Sequence, residues 1–145
     1  MYRFKLQALL NHHRHQEEVC QKELAEARRK LSDVKKVLSR IKKEKRENIR
    51  ELQRQQEKSH SVPKIILFVN YIEQLARDIE KQIQRVRTAT KRVTQKRDDL
   101  IFIMKKRKTL EKLKEKEWLA YQQKKMQEER KFNDEVAATR HIRKM

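Results

Sequence analysis

The sequence predicts an all-α protein: a long two-helix antiparallel coiled-coil hairpin whose second helix overhangs the first. Three observations predict it. Apolar residues recur every three or four positions through two long charged segments, which is the spacing of a coiled-coil seam. The chain has no glycine, and its single proline, Pro63, lies near the middle. Hydrophobic residues make up 36% of the chain against 42% charged, so burial is confined to a narrow stripe and a large globular core is not expected.

The turn comes first, because both arms are measured from it. Ser59 to Pro63 reads Ser-His-Ser-Val-Pro. Proline donates no backbone hydrogen bond and pushes the residue before it out of the helical region. Ser59 and Ser61 are candidate caps for a new helix, and Pro63 is tolerated in a first turn. The expected layout is one coiled-coil hairpin over residues 1–145, with a helix over about residues 3–57, a turn over about 58–62 and a helix over about 63–142.

In the first arm, steps of four and three give Leu6, Leu10, His13, Glu17, Cys20, Leu24, Ala27, Leu31, Val34, Leu38, Ile41, Lys45, Asn48 and Leu52. Ten of these fourteen positions are apolar, a heptad stripe sustained over about seven repeats. The second arm reads Ile72, Ala76, Ile79, Ile83, Val86, Thr90, Val93, Arg97, Leu100 and Met104. The register is then expected to slip at Leu100–Met104 and to continue through Ile103, Leu110, Leu113 and Tyr121, as at a coiled-coil stutter.

A hairpin centred near residue 60 demands that facing residues have numbers summing to about 120. Ala27 then faces Val93, Cys20 faces Leu100, and Glu17 lies near Met104 and Arg107. Polar layers of this kind set register. Residues from Trp118 onward have no facing partner on this count. That overhang is about 42 Å long at 1.5 Å per residue. It carries Trp118, Tyr121, Met126, Phe132, Val136 and Ile142 among Lys, Arg, Gln and Glu, and an isolated helix of this kind is marginal in water.

Several function classes are disfavoured. Without glycine there is no phosphate-cradling loop, and paired helices offer no water-excluding pocket, so no enzyme, cofactor or small-molecule substrate is expected. His12, His13, His15 and Cys20 do not complete a tetrahedral ligand set, so no metal is expected. Cys20 reads as a small buried hydrophobe. The longest apolar runs, Ile65–Val69 and Leu100–Met104, have five residues, well short of the ~20 of a spanning helix. The lone cysteine suits a reducing cytosol.

The formal charge is +19. Residues 1–60 hold 17 basic and 9 acidic side chains, and residues 61–145 hold 23 and 12. The charge is therefore spread over both arms, few aromatics interleave with it, and no nucleic-acid module is present. Specific nucleic-acid binding is not expected, because attraction to phosphate carries no sequence information. One apolar stripe remains. Phe68, Tyr71 and Leu75, continuing through Asp78 and Gln82, run beside the seam residues Ile72, Ala76 and Ile79. They are either ordinary seam flanks or an exposed face for a partner.

Three segments resemble the flagellar export protein FliJ family. Tyr2–Leu10 (Tyr-Arg-Phe-Lys-Leu-Gln-Ala-Leu-Leu) looks like the family's start, Tyr71–Leu75 (Tyr-Ile-Glu-Gln-Leu) like its second-helix entry, and Asp134–Arg140 (Asp-Glu-Val-Ala-Ala-Thr-Arg) like its C-terminal signature. The resemblance covers the whole chain. It implies a two-helix coiled coil similar to the central stalk of rotary ATPases, acting as a non-enzymatic component of flagellar type III protein export. It further implies a monomeric hairpin that is cytoplasmic and peripheral to the inner-membrane export apparatus. The implied partners are the export ATPase ring, the cytoplasmic region of the export gate FlhA, and export chaperones. It places the gate contact just after the turn, here Phe68, Tyr71, Leu75, Asp78 and Gln82. It places the ring contact at the paired chain ends. Of the residues there, Tyr2, Phe4, Leu6, Trp118, Tyr121, Phe132, Arg140 and Arg143 are the aromatic, apolar and basic candidates. The rival readings are a stalk protein of a related virulence secretion system and a basic nucleic-acid-binding coiled coil.

Overall fold

A computed structural model describes residues 2–58 and 61–144. Two helices account for nearly all of it, α1 over Gln7–Lys58 and α2 over Val62–Lys144, and no strand occurs among the described residues. The fold is an all-α helical hairpin. Ser61 occupies the position before α2, where its carbonyl accepts the Ile65 N–H at 3.2 Å, and Pro63 falls in the first turn. There its missing N–H is one the helix leaves unpaired in any case. The expected cap at Ser59 lies outside the described residues.

Helix α1 begins later than its periodicity predicts. The expected start near residue 3 is replaced by a non-helical segment over residues 2–6. The Gln7 N–H bonds the Phe4 carbonyl at 3.1 Å, and the Leu10 N–H bonds the Leu6 carbonyl at 2.9 Å. The segment leaves the helix because its apolar side chains find a better place: Phe4 is buried, and Tyr2 lies on aromatic rings of α2. A non-helical strand of chain covers about twice the distance per residue that a helix does, so it reaches partners a helical Tyr2 would not.

The chain divides into two compact units, Val19–Leu100 and a second formed by Met1–Glu18 with Ile101–Met145. In the first, Leu24, Ala27 and Val93 form a buried cluster, with Leu31 and Leu100 packed against it. Three polar contacts cross between its helices. Lys96 Nζ meets Glu23 Oε2 at 2.9 Å, Gln82 Nε2 donates to the Val34 carbonyl at 2.9 Å, and the Tyr71 hydroxyl donates to Glu44. These pairings run antiparallel, and Ala27 and Val93 share a cluster as the turn-centred count requires. Cys20 is half-buried. Burial, then Glu23 and Asp99, push its thiol pKa up against the opposing pull of Lys96.

In the other unit Leu10 is fully buried and Phe4 nearly so. Glu17 is also buried and is held by Arg107. Lys114 Nζ reaches Gln7 Oε1 at 2.7 Å.

The α1 stripe is the one its sequence predicts, from Leu10 through Leu52, with Leu6 left exposed in the turn before the helix. The α2 stripe is different. Its buried residues are Leu75, Gln82 and Val93. The half-buried positions include Ile72, Ile79, Val86, Ala89, Lys96, Leu100, Ile103, Arg107, Leu110 and Lys114. These positions step by three and four without interruption, so the expected slip at Leu100–Met104 does not occur. Thr90 and Arg97, expected in the seam, are exposed. The expectation failed because four true seam positions are polar. Gln82, Lys96, Arg107 and Lys114 each meet an acceptor on α1. A search for apolar residues alone passes them over in favour of their neighbours.

Candidate functional site

Two surfaces come from residues singled out in the sequence. At the chain ends, Tyr2 makes an edge-on contact with Trp118, with centroids 5.2 Å apart, and a tilted one with Tyr121 at 5.4 Å. Trp118 and Tyr121, one helical turn apart, stack at 5.9 Å. The Tyr2 hydroxyl donates to the Lys114 carbonyl at 3.4 Å. Desolvation, then the nearby Glu117 charge, raises the Tyr2 pKa. The expectation that residues from Trp118 onward lack a partner is therefore corrected at Trp118 and Tyr121, which the non-helical N-terminal segment reaches. Phe4 is 7% exposed and is spent on internal packing. Leu6, at 38%, is open.

Beyond Tyr121 every described residue is exposed except the half-buried Val136. Met126, Phe132 and Ile142 are exposed apolar side chains in this stretch. Arg140 and Arg143 are exposed beside them. Together with Val136, Phe132 and Arg140 and Arg143 line one shallow surface cleft.

Below the clasp, Arg107 sits between two acids. It bonds Glu17 through two nitrogens, and Glu111 Oε2 through Nη1 at 2.9 Å. Glu111 also takes Arg14 at 3.5 Å. The hydrogen bonds to Glu17 first, then to Glu111, raise the Arg107 pKa.

After the turn, the five candidate residues do not form one exposed face. Leu75 and Gln82 are buried at 4% and 3% exposed, and both belong to the seam. Phe68 and Asp78 are half-buried. Tyr71 is open at 43%, and its hydroxyl is engaged by Glu44. That hydrogen bond is the main cause of its raised pKa, ahead of desolvation and the charges of Glu44 and Asp78. Phe68 and Tyr71 line an apolar cleft of about 300 Å³ with Asn48, Lys64 and Leu67. Three of these five residues were not singled out by the stripe, because Asn48 belongs to α1, Leu67 lies off the three-four spacing, and Lys64, four residues before Phe68, is charged rather than apolar. Facing numbers near the turn are the signal that links Asn48 to this segment.

Among the described residues no group of three or more His, Cys, Asp and Glu is placed to hold a metal ion. None of their helices is long and apolar enough to cross a membrane.

The family model described as flagellar FliJ protein matches residues 2–145. The chain belongs to the FliJ family. It is thus a component of flagellar type III protein export, in a family of non-catalytic export components, and its interactions lie within the export apparatus. Among curated proteins and among solved structures, none matches the chain. In this FliJ-family chain the matched residues take in both surfaces described above, the clasped chain ends and the segment after the turn.

Proposed function

We propose that this FliJ-family chain is a non-enzymatic, stalk-like part of the flagellar export machine, working as a single hairpin in the cytoplasm beside the inner-membrane export apparatus. The region of α2 beyond Tyr121 binds the export ATPase ring. The cleft under Tyr71 receives the cytoplasmic region of the gate FlhA, and export chaperones are further partners. The observation that carries this reading is the stretch beyond Tyr121. It exposes Met126, Phe132 and Ile142 among Lys124, Lys125, Arg130, Lys131, Arg140, Arg143 and Lys144. Large apolar groups are strong interface anchors when buried, and a basic surround steers a rod toward an acidic lumen.

The ring contact assigned here is narrower than the candidate set. Tyr2, Trp118 and Tyr121 build the clasp that holds the end of the pairing and Phe4 is buried, whereas Phe132, Arg140 and Arg143 are free to touch a ring. Removing residues 123–145 leaves the clasp whole. The test is ATPase assembly and turnover with full-length and shortened protein at matched, moderate salt, beside pull-down with the cytoplasmic region of the gate. The shortened chain is expected to keep gate binding and to lose stimulation of the ATPase. Equal stimulation by both would move the ring contact to the paired region.

A further inference from the structure

Apart from Lys64, the first two turns of α2 are apolar. Ile65, Phe68 and Ile72 are half-buried and face α1. On the outward side Val62, Ile66 and Leu67 are 61%, 52% and 69% exposed, and Val69 at their flank is 38% exposed. At about 100° per residue, Val62, Ile66, Pro63 and Leu67 fill an outward arc of about 140°, with Asn70 as its only other occupant. A helix that is hydrophobic all round is one that is buried. Here, among the described residues, nothing covers the outer half.

We propose that this outward face inserts into the surface of an anionic lipid bilayer. Charge argues for lipid. No acidic residue occurs between Glu57 and Glu73, an interval that contains Lys58 and Lys64. Shallow binding to an anionic membrane takes two signals, an apolar wedge and a basic surround. Both are present in this one stretch. The exposed side chains also fan out over a convex arc, which suits a deformable surface. The apolar cleft that would fit a protein side chain opens beside this arc, toward Phe68, Tyr71 and Asn48, and shares only Leu67 and Lys64 with it. Lys64, at the edge of the arc, has a stem long enough to lie along the apolar surface with its ammonium at the headgroups.

The experiment is vesicle co-sedimentation of the full chain at about 150 mM salt, where long-range attraction is screened. Phosphatidylcholine vesicles are compared with phosphatidylcholine–phosphatidylglycerol vesicles. No gate protein or ATPase is present, so the result is independent of the function proposed above. The parent is expected to bind the mixed vesicles and not the zwitterionic ones. Ile66→Ser with Leu67→Ser is expected to weaken binding about tenfold or more, since each removes several buried methylenes from the wedge. A second variant, Leu67→Trp with Trp118→Phe, reports insertion directly by a blue shift of its emission on mixed vesicles. Failure of the parent to bind mixed vesicles overturns the proposal. So does equal binding by the serine variant, which would leave charge alone as the cause, or a water-like emission from the new tryptophan on bound protein.

Discussion

Tyr2 and Trp118 touch edge to face, with ring centroids 5.2 Å apart at an interplanar angle of 63°. This is a favoured geometry for aromatic pairs, and it joins the non-helical start of the chain to the middle of α2. Tyr121 closes the group from the next turn. The contact explains why residues 2–6 do not extend α1.

Trp118 is the only tryptophan, so the clasp carries its own reporter. Tyr2→Ala is expected to shift Trp118 emission to the red and to raise amide exchange in α2 around Lys114, whose carbonyl the Tyr2 hydroxyl caps. Far-ultraviolet dichroism should change little, since residues 2–6 are not helical in the parent. An unchanged emission spectrum would mean that the ring contact does not persist in solution.

Glu17→Ala is expected to lower stability by about 2 kcal/mol, because it removes a charged hydrogen bond to a mostly buried guanidinium. Glu111 still holds Arg107, which limits the loss. Glu17→Leu with Arg107→Leu should recover most of that stability or exceed it, as apolar replacements of buried ion pairs commonly do. Its cost should appear as loss of a single register. Urea melts measure the first effect, and disulfide trapping between paired cysteines at several registers measures the second.

The fold was legible because α1 has a clean stripe, the chain has one proline, and Ala27 and Val93 fall on a common turn-centred count. The α2 seam was legible only in part. Its polar members look like surface residues until their partners Glu17, Glu23 and Gln7 are set against them. The N-terminal segment was not legible from periodicity, since Leu6 and Leu10 continue the helical spacing. What decides its path is Trp118, more than a hundred residues away. The segment after the turn misled for a related reason: with apolar residues around most of its circumference, no face of it stands out as the buried one.

Leu75 is 4% exposed and Tyr71 43% exposed, one helical turn apart, so their alanine variants should separate. Leu75→Ala is expected to cost about 2–4 kcal/mol as a large-to-small change at a buried site. Tyr71→Ala should melt close to the parent and weaken gate binding through loss of the cleft wall. Thermal melts of the two single variants, with pull-down on the cytoplasmic region of the gate, read both effects. If Tyr71→Ala melts as low as Leu75→Ala, its ring is structural and the gate assignment fails.

The same tyrosine ties stability to alkaline pH. Its hydroxyl donates to Glu44, and that bond raises the phenol pKa above its ordinary value near 10. A raised folded-state pKa means that the contribution is complete below the unfolded value and disappears as pH rises through the folded one. Ionised Tyr71 has no proton to donate and would face the Glu44 carboxylate with like charge. The parent should therefore lose thermal stability above about pH 10 more steeply than Tyr71→Phe, and the two should run parallel from about pH 7 to 9. Tyr2, also shifted upward, is present in both proteins and cancels in the comparison. A melting curve series across this range, with phenolate absorbance followed in parallel, measures the difference. Parallel loss in both proteins above pH 10 would show that the Tyr71–Glu44 hydrogen bond adds nothing to the pairing of α1 and α2.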